Sequence, residues 1–136
     1  MKQFTVGVTG TQSGMNPEQK EKFTQFLKWW STDGAEDSRL LVDLIHGEAK
    51  GVDTEAAIIA TDLDIRVLTP ETQTGHFARN REIVDRCDVL VVIPWQDEWQ
   101  SEGGTWYTHD YAEKKGVDIV TIWPSAEVNQ LIGMGR

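Results

Sequence analysis

Three glycine-bearing turns stand out in this 136-residue chain: Thr9-Gly10-Thr11, His46-Gly47-Glu48-Ala49-Lys50-Gly51-Val52-Asp53 and Glu102-Gly103-Gly104-Thr105. Glycine lets backbone amides approach a ligand with no side chain between. A helix starting at such a turn adds unpaired N–H groups whose dipole favours an anion by ~0.3–1 kcal/mol, rising to ~2 kcal/mol when partly buried. The chemistry these turns can do is to seat a phosphate. The candidate ligand-binding residues are Gly10, Thr11, His46, Gly47, Gly51, Asp53, Gly103, Gly104, Thr105 and Thr108. Arg79 and Arg81, from the segment Arg79-Asn80-Arg81, join them as cations able to reach an anion across a sheet edge.

Each of these residues also has an ordinary structural account. A glycine beside a helix start is commonly a turn residue. Asp53 is either an N-cap contributing about 1 kcal/mol or an acceptor for ribose hydroxyls. Thr105 and Thr108 are either helix-start residues or hydroxyl donors to a phosphate, and the arginines either face the ligand or a solvated surface. Trp95, Trp99 and Trp106 flank the glycine pair and either stack on a base or cap the core. His46, His76 and His109 lack the i,i+4 spacing and neighbouring carboxylates of a zinc site, so no metal is expected. The single cysteine, Cys87, excludes an internal disulfide and a thiolate cage, and reads as a buried spacer against the sheet.

Regular elements must position these turns. Phe4 to Val8 alternates apolar and polar residues and ends at Gly10, the pattern of a strand closed by a tight turn. Asn16-Pro17-Glu18-Gln19 supplies an N-cap, a first-turn proline and a capping-box glutamine, predicting a helix from about Pro17 to Ser31. Thr32 to Ser38 reads as a loop, Leu40 to Ile45 as a strand, and a second helix begins near Gly51 to Asp53. Ile65 to Leu68 forms a third strand, followed by a loop with freedom to move over Thr69 to Ala78. Asn80 to Arg86 makes a short helix, and Asp88 to Ile93, the most strand-like segment, is expected at the centre of the sheet. Pro94 to Gly103 is a loop, Thr105 to Lys115 a helix and Val117 to Trp123 a last strand.

Strands and helices alternate throughout, and continuously apolar strands mean burial on both faces. The expected fold is therefore α/β: a single doubly wound, Rossmann-like domain with a mainly parallel five-stranded sheet, a core over 4–123 and a tail over 124–136. In such sheets ligands sit beyond the carboxyl ends of the strands, where the order reverses, and the three glycine turns follow strands or precede helices there.

Composition narrows the partners. Thirteen Lys plus Arg against 22 Asp plus Glu leave a net charge of −9, the wrong sign for general nucleic-acid binding, although amides and local arginines can still hold a small anion. No apolar run approaches the ~18 residues of a membrane span, and the N-terminus lacks the apolar stretch of a secretory signal, so a cytoplasmic location is expected. An apolar face carrying Phe23, Phe26, Trp29 and Trp30 can serve both the core and a homo-dimer contact.

Taken in order, Val8-Thr9-Gly10-Thr11, His46-Gly47 with Gly51 and Asp53, Arg79-Asn80-Arg81, and Gly104-Thr105 with Thr108 and Ala112 resemble the SLOG superfamily over residues 4–123. Within it the likeness is to the small YspA-like single-domain proteins, whose His-Gly turn, Arg-Asn-Arg segment, Gly-Thr helix start and final Trp-Pro recur here. The resemblance implies a Rossmann-like domain that binds a nucleotide or nucleotide-derived ligand, with no separate cofactor. The chain is also similar to the LOG-type phosphoribohydrolases, in which an arginine matched by Arg79 works with a glutamate where Thr108 stands here. That likeness implies hydrolysis of an N-glycosidic bond in nucleoside 5′-monophosphates, with Arg79 and, in place of the glutamate that Thr108 replaces, one of Glu102 or Asp110 as the candidate catalytic groups. The DNA-processing recombination mediators share the Gly-Thr-x-x-Thr helix start of Gly104, Thr105 and Thr108, but their single-strand binding needs a basic groove that this acidic chain is ill suited to build. A third expectation, an edge used only as a protein interface, ranks behind ligand binding because glycine-rich strand ends suit a phosphate better.

Overall fold

The computed structural model describes residues 3–33, 41–72, 74–100 and 103–125, together with 127 and 129. Five strands, β1 (Gln3–Gly10), β2 (Leu41–Ile45), β3 (Arg66–Leu68), β4 (Val89–Ile93) and β5 (Asp118–Thr121), alternate with four α-helices, α1 (Pro17–Lys28), α2 (Val52–Asp62), α3 (His76–Arg86) and α4 (Gly104–Lys115). Every strand pairing is parallel, in the order β3-β2-β1-β4-β5. This is the doubly wound, Rossmann-like architecture that alternating elements and apolar strands predict. The chain leaves β1 toward β2 and β3, then returns to build β4 and β5 on the other side, so the order reverses between β1 and β4. β1, not the Asp88 to Ile93 strand, occupies the centre. Burial at every residue of β4 shows that both its faces are covered, which is equally true of a strand one place from the middle.

Alternation along the strands splits the core between the two faces of the sheet. Val6 and Val8 of β1 and Val89, Val91 and Ile93 of β4 pack with Phe23 and Leu27 of α1 and Val52, Ala56 and Ala60 of α2. Leu90 and Val92 point the other way, toward Ile83 and Val84 of α3 and Trp106 and Ala112 of α4. On that second face a Cβ at Gly7 would sit 3.0 Å from the Cys87 side chain, so glycine makes room for the cysteine. Burial pushes the Cys87 thiol up to about 12, consistent with an inert spacer rather than a nucleophile.

Local chemistry explains where the elements begin and end. Asn16 and Gln19 form the expected capping box, with Pro17 in the first turn of α1. The fully enclosed Gln19 amide also donates to the carbonyls of Pro94 (2.7 Å) and Ile122 (3.1 Å), tying the ends of β4 and β5 to the start of α1. Beyond Lys28 the helix widens into a π-helical turn, Trp29–Asp33, which leaves Trp30 stacked on Phe4 at 4.2 Å. Leu40, Gln73, most of the loop expected at Thr32 to Ser38 and most of the tail lie outside the described residues. α3 begins at His76, four residues before the expected start, so the preceding loop is shorter. That loop is also pinned: Glu82 accepts from the amides of Glu71 (2.7 Å) and Thr72 (2.9 Å), bonds the Thr72 hydroxyl and pairs with Arg86. These bonds hold its carboxyl down at about 2.

Candidate functional site

At the switch point the carboxyl end of β1 meets the start of α2 by direct backbone contact. The Thr11 amide donates to Ile93, and its carbonyl accepts from the amides of Gly14 and Val52. Its hydroxyl accepts from the Ser13 amide at 3.2 Å. Thr11 therefore shapes the turn with most of its polar groups engaged. A Cβ at Gly10 would come within 2.7 Å of both the Ile93 carbonyl and Val52, and one at Gly51 within 2.4 Å of the Gln12 carbonyl. Gly51 also adopts φ +78°, a left-handed conformation that side chains resist. These two glycines allow helix, strand and loop to pack closely.

Asp53 is neither an N-cap nor a free acceptor. Gly51 caps α2, and Asp53, in its first turn, turns Oδ2 back to accept from the amides of Gly47 (2.9 Å) and Ala49 (3.2 Å). Burial raises its carboxyl to about 6, against the opposing pull of those amides and of Arg79. The Gly47 amide, expected to bind phosphate, is thus already bonded within the protein, although Gly47 still lines the cleft. His46 Nδ1 accepts from the Glu48 amide at 2.9 Å, leaving the ring proton of the neutral form on Nε2. Burial depresses the basicity of this imidazole, Glu48 opposes that effect and Arg79 adds to it. Arg79 closes the group by donating to Glu48 at 2.7 Å, while its buried Nε finds no acceptor among the described residues.

Two helices begin at this edge. Gly75 precedes α3 as its N-cap and Gly103 precedes α4, with φ of +87° and +106°, and neither helix start has a side-chain cap. Among the described residues no protein group accepts from the amides of Gly104 and Thr105. Between these helix starts and the ends of β1 and β4 lies a cleft of about 590 Å³. Gly10, Thr11, Gly47, Asp53, Arg79, Gly103, Gly104 and Thr105 line it, so eight of the twelve expected ligand residues are brought together. Trp95, 64% exposed, and Phe77, 56% exposed, supply aromatic surface in its wall.

The other four expected ligand residues lie off the cleft. His46 accepts the Glu48 amide within its own turn, and Gly51 packs against the Gln12 carbonyl. Arg81 donates to the Tyr107 hydroxyl at 2.7 Å, which links α3 to α4. Thr108 is fully buried and donates its hydroxyl to the Gly104 carbonyl at 2.7 Å, which corrects the reading of it as a phosphate donor. Of the candidate catalytic carboxylates, Asp110 bonds His109 and borders a neighbouring hollow rather than the cleft, while Glu102 lies outside the described residues. Trp106 is buried against Trp123 and His109 and caps the core, whereas Trp99 stays exposed.

Sequence reasoning missed Asn80, Gln12 and Gln100, which also line the cleft. Asn80 stands between two of the turns: Cβ atoms at Gly47 and Gly104 would meet its amide group at 3.7 and 3.8 Å. Its place between Arg79 and Arg81 was the one available signal, and neutral amides carry no charge pattern to strengthen it.

No protein-family model matches the sequence, and no curated protein does. Among solved structures, the chain is similar to the molybdenum cofactor binding protein from the phototrophic bacterium Rippkaea orientalis, with a TM-score of 0.62 and 18% sequence identity over 97% of this chain and 83% of the other. At that identity the likeness establishes a shared fold.

Proposed function

We propose that this protein is a SLOG-like binding domain that seats the phosphate of a nucleotide or nucleotide-derived ligand at the start of α4, with Arg79 beside it and the base toward Trp95. The observation that carries this reading is the uncapped N-terminus of α4, which opens through Gly103 and Gly104 onto the switch-point cleft containing Arg79. Charge-assisted hydrogen bonds contribute about 1.5–3 kcal/mol each, and two amides with one guanidinium offer three. Repulsion from distant carboxylates of a −9 chain is screened beyond roughly 8 Å at physiological salt, so the local donors decide. The description of the Rippkaea orientalis protein as cofactor-binding supports a fold suited to a small ligand. Binding is favoured over N-glycosidic hydrolysis because the one carboxylate among the described lining residues, Asp53, is engaged in holding the 47–49 turn.

Thermal unfolding with inorganic phosphate and a panel of nucleoside mono- and diphosphates tests the reading. A ligand at a hundredfold its Kd adds about 2.7 kcal/mol, enough to raise Tm by several degrees in a chain of this size. Gly104→Asp, which places a carboxylate at the phosphate seat, should abolish that rise. No shift from any member of the panel at millimolar concentration would overturn the proposal.

A further inference from the structure

Beyond the α4 start, a second hollow of about 540 Å³ runs along the α3–α4 face. It shares Phe77, Gly103 and Gly104 with the switch-point cleft, so the two spaces meet across the glycine pair. The fold gives no reason for the second of these glycines. Gly104 has no left-handed backbone to satisfy, and a Cβ there would meet only the Asn80 amide nitrogen at 3.8 Å, an ordinary contact. Alanine would be the better helix former by up to ~1 kcal/mol. A missing side chain that neither packing nor conformation requires leaves open ground between two hollows. On the far side stand the Tyr107 and Tyr111 rings, the Asp110 carboxylate and Lys114, whose ammonium has no ion-pair partner among the described residues.

Resting on the nucleotide reading, we infer that the ligand is bipartite: a nucleotide whose phosphates cross over Gly104 and carry a second, hydroxyl-bearing ring into the hollow beside Tyr107 and Tyr111, that is, a nucleoside diphosphate sugar. The chemistry of the far hollow fits such a group. Asp110 accepts from sugar hydroxyls, Lys114 complements the outer phosphate, and tyrosine rings offer the apolar surface on which a sugar ring packs.

The experiment is calorimetric titration of the folded protein with ADP, GDP and UDP, each alone and as its glucose ester. The expected result is that, for whichever diphosphate binds, the glucose ester binds about tenfold tighter or more. The double variant Lys114→Ala, Asp110→Asn should cut that advantage to less than twofold. Equal or weaker binding of the ester overturns the bipartite ligand and leaves the nucleotide reading standing. An advantage that survives the double variant places the sugar elsewhere and also overturns it. Absence of binding by all six compounds, with circular dichroism showing a folded protein, overturns the bipartite ligand, and the thermal panel with inorganic phosphate and nucleoside monophosphates separately decides the nucleotide reading.

Discussion

The Asp53 carboxylate accepts the Gly47 amide at 2.9 Å across the turn that joins β2 to α2. A group expected to meet a ligand is instead part of the frame around it. Its elevation to about 6 makes stability depend on pH in a definite direction. The folded state retains a proton that the unfolded state has released, so this group's favourable contribution is complete below about pH 4 and lost as pH rises through about 6. A rise from 3.8 to about 6 corresponds to roughly 3 kcal/mol at 1.36 kcal/mol per unit. Asp53→Asn removes the titration and keeps an oxygen for the two amides. Urea unfolding of both proteins at pH 4 and pH 7 should show the variant gaining roughly 1–3 kcal/mol relative to the wild type over that interval. A difference independent of pH would refute this account.

Arg79 and Glu48 make a second prediction. Their 2.7 Å contact holds the cleft's arginine in an ion pair before any ligand arrives, and a phosphate must compete with that carboxylate. Glu48 is more exposed than Arg79, so the pair itself adds little to stability. Arg79→Gln should weaken nucleotide binding tenfold or more, while Glu48→Gln should strengthen it severalfold by freeing the guanidinium. Calorimetry on both variants checks this. A Glu48→Gln protein that binds less tightly would mean that the pair positions Arg79 rather than restrains it.

What could be read from the sequence depended on whether a residue's role is local. The start of α1 was legible because Asn16 and Gln19 satisfy each other within one turn, and the doubly wound architecture, though not which strand is central, followed from alternating elements and apolar strands. The start of α3 was not legible: Gly75 carries no capping side chain, and His76 and Phe77 line a cleft rather than a core, so no apolar period marks it. Eight of the twelve ligand candidates converge because their turns all lie at strand ends or helix starts on one edge. Gly51 and Gly104 look alike in sequence, since the identity of a glycine says nothing about what an added Cβ would strike. Which of its two readings holds for Thr108 was not legible, because its burial depends on which face of α4 meets the sheet, a tertiary fact.

Thr108 also decides a chemical question. The glutamate that the LOG-type likeness implies would lie at a position with no exposure, four residues into α4 and bonded to the Gly104 carbonyl. Thr108→Glu would bury an unpaired carboxylate, at a cost of about 3–5 kcal/mol, and should yield an unstable protein with no release of free base from nucleoside monophosphates. Thr108→Val should lose about 1 kcal/mol of stability and hold nucleotide affinity within twofold, because the hydroxyl serves the helix. Chromatography for free base, with unfolding curves for both variants, provides the check. A stable Thr108→Glu protein that releases base would show that this side chain does reach the cleft.

The glycines separate frame from ligand seat. At Gly51 a methyl group would lie 2.4 Å from the Gln12 carbonyl, on a residue with φ +78°, and neither backbone can retreat without opening the joint between the Thr11 turn and α2. Gly51→Ala should therefore cost more than about 2 kcal/mol and lower Tm by several degrees. At Gly104 the same change meets open space, and alanine suits the helix better by up to ~1 kcal/mol, so Tm should hold or rise. Yet that methyl group would stand where a phosphate must approach the α4 amides. Nucleotide affinity should therefore fall by tenfold or more in a protein as stable as the wild type. Gly104→Ala with undiminished affinity would move the phosphate off the start of α4, because no other consequence of that substitution can offset a methyl group placed in its path.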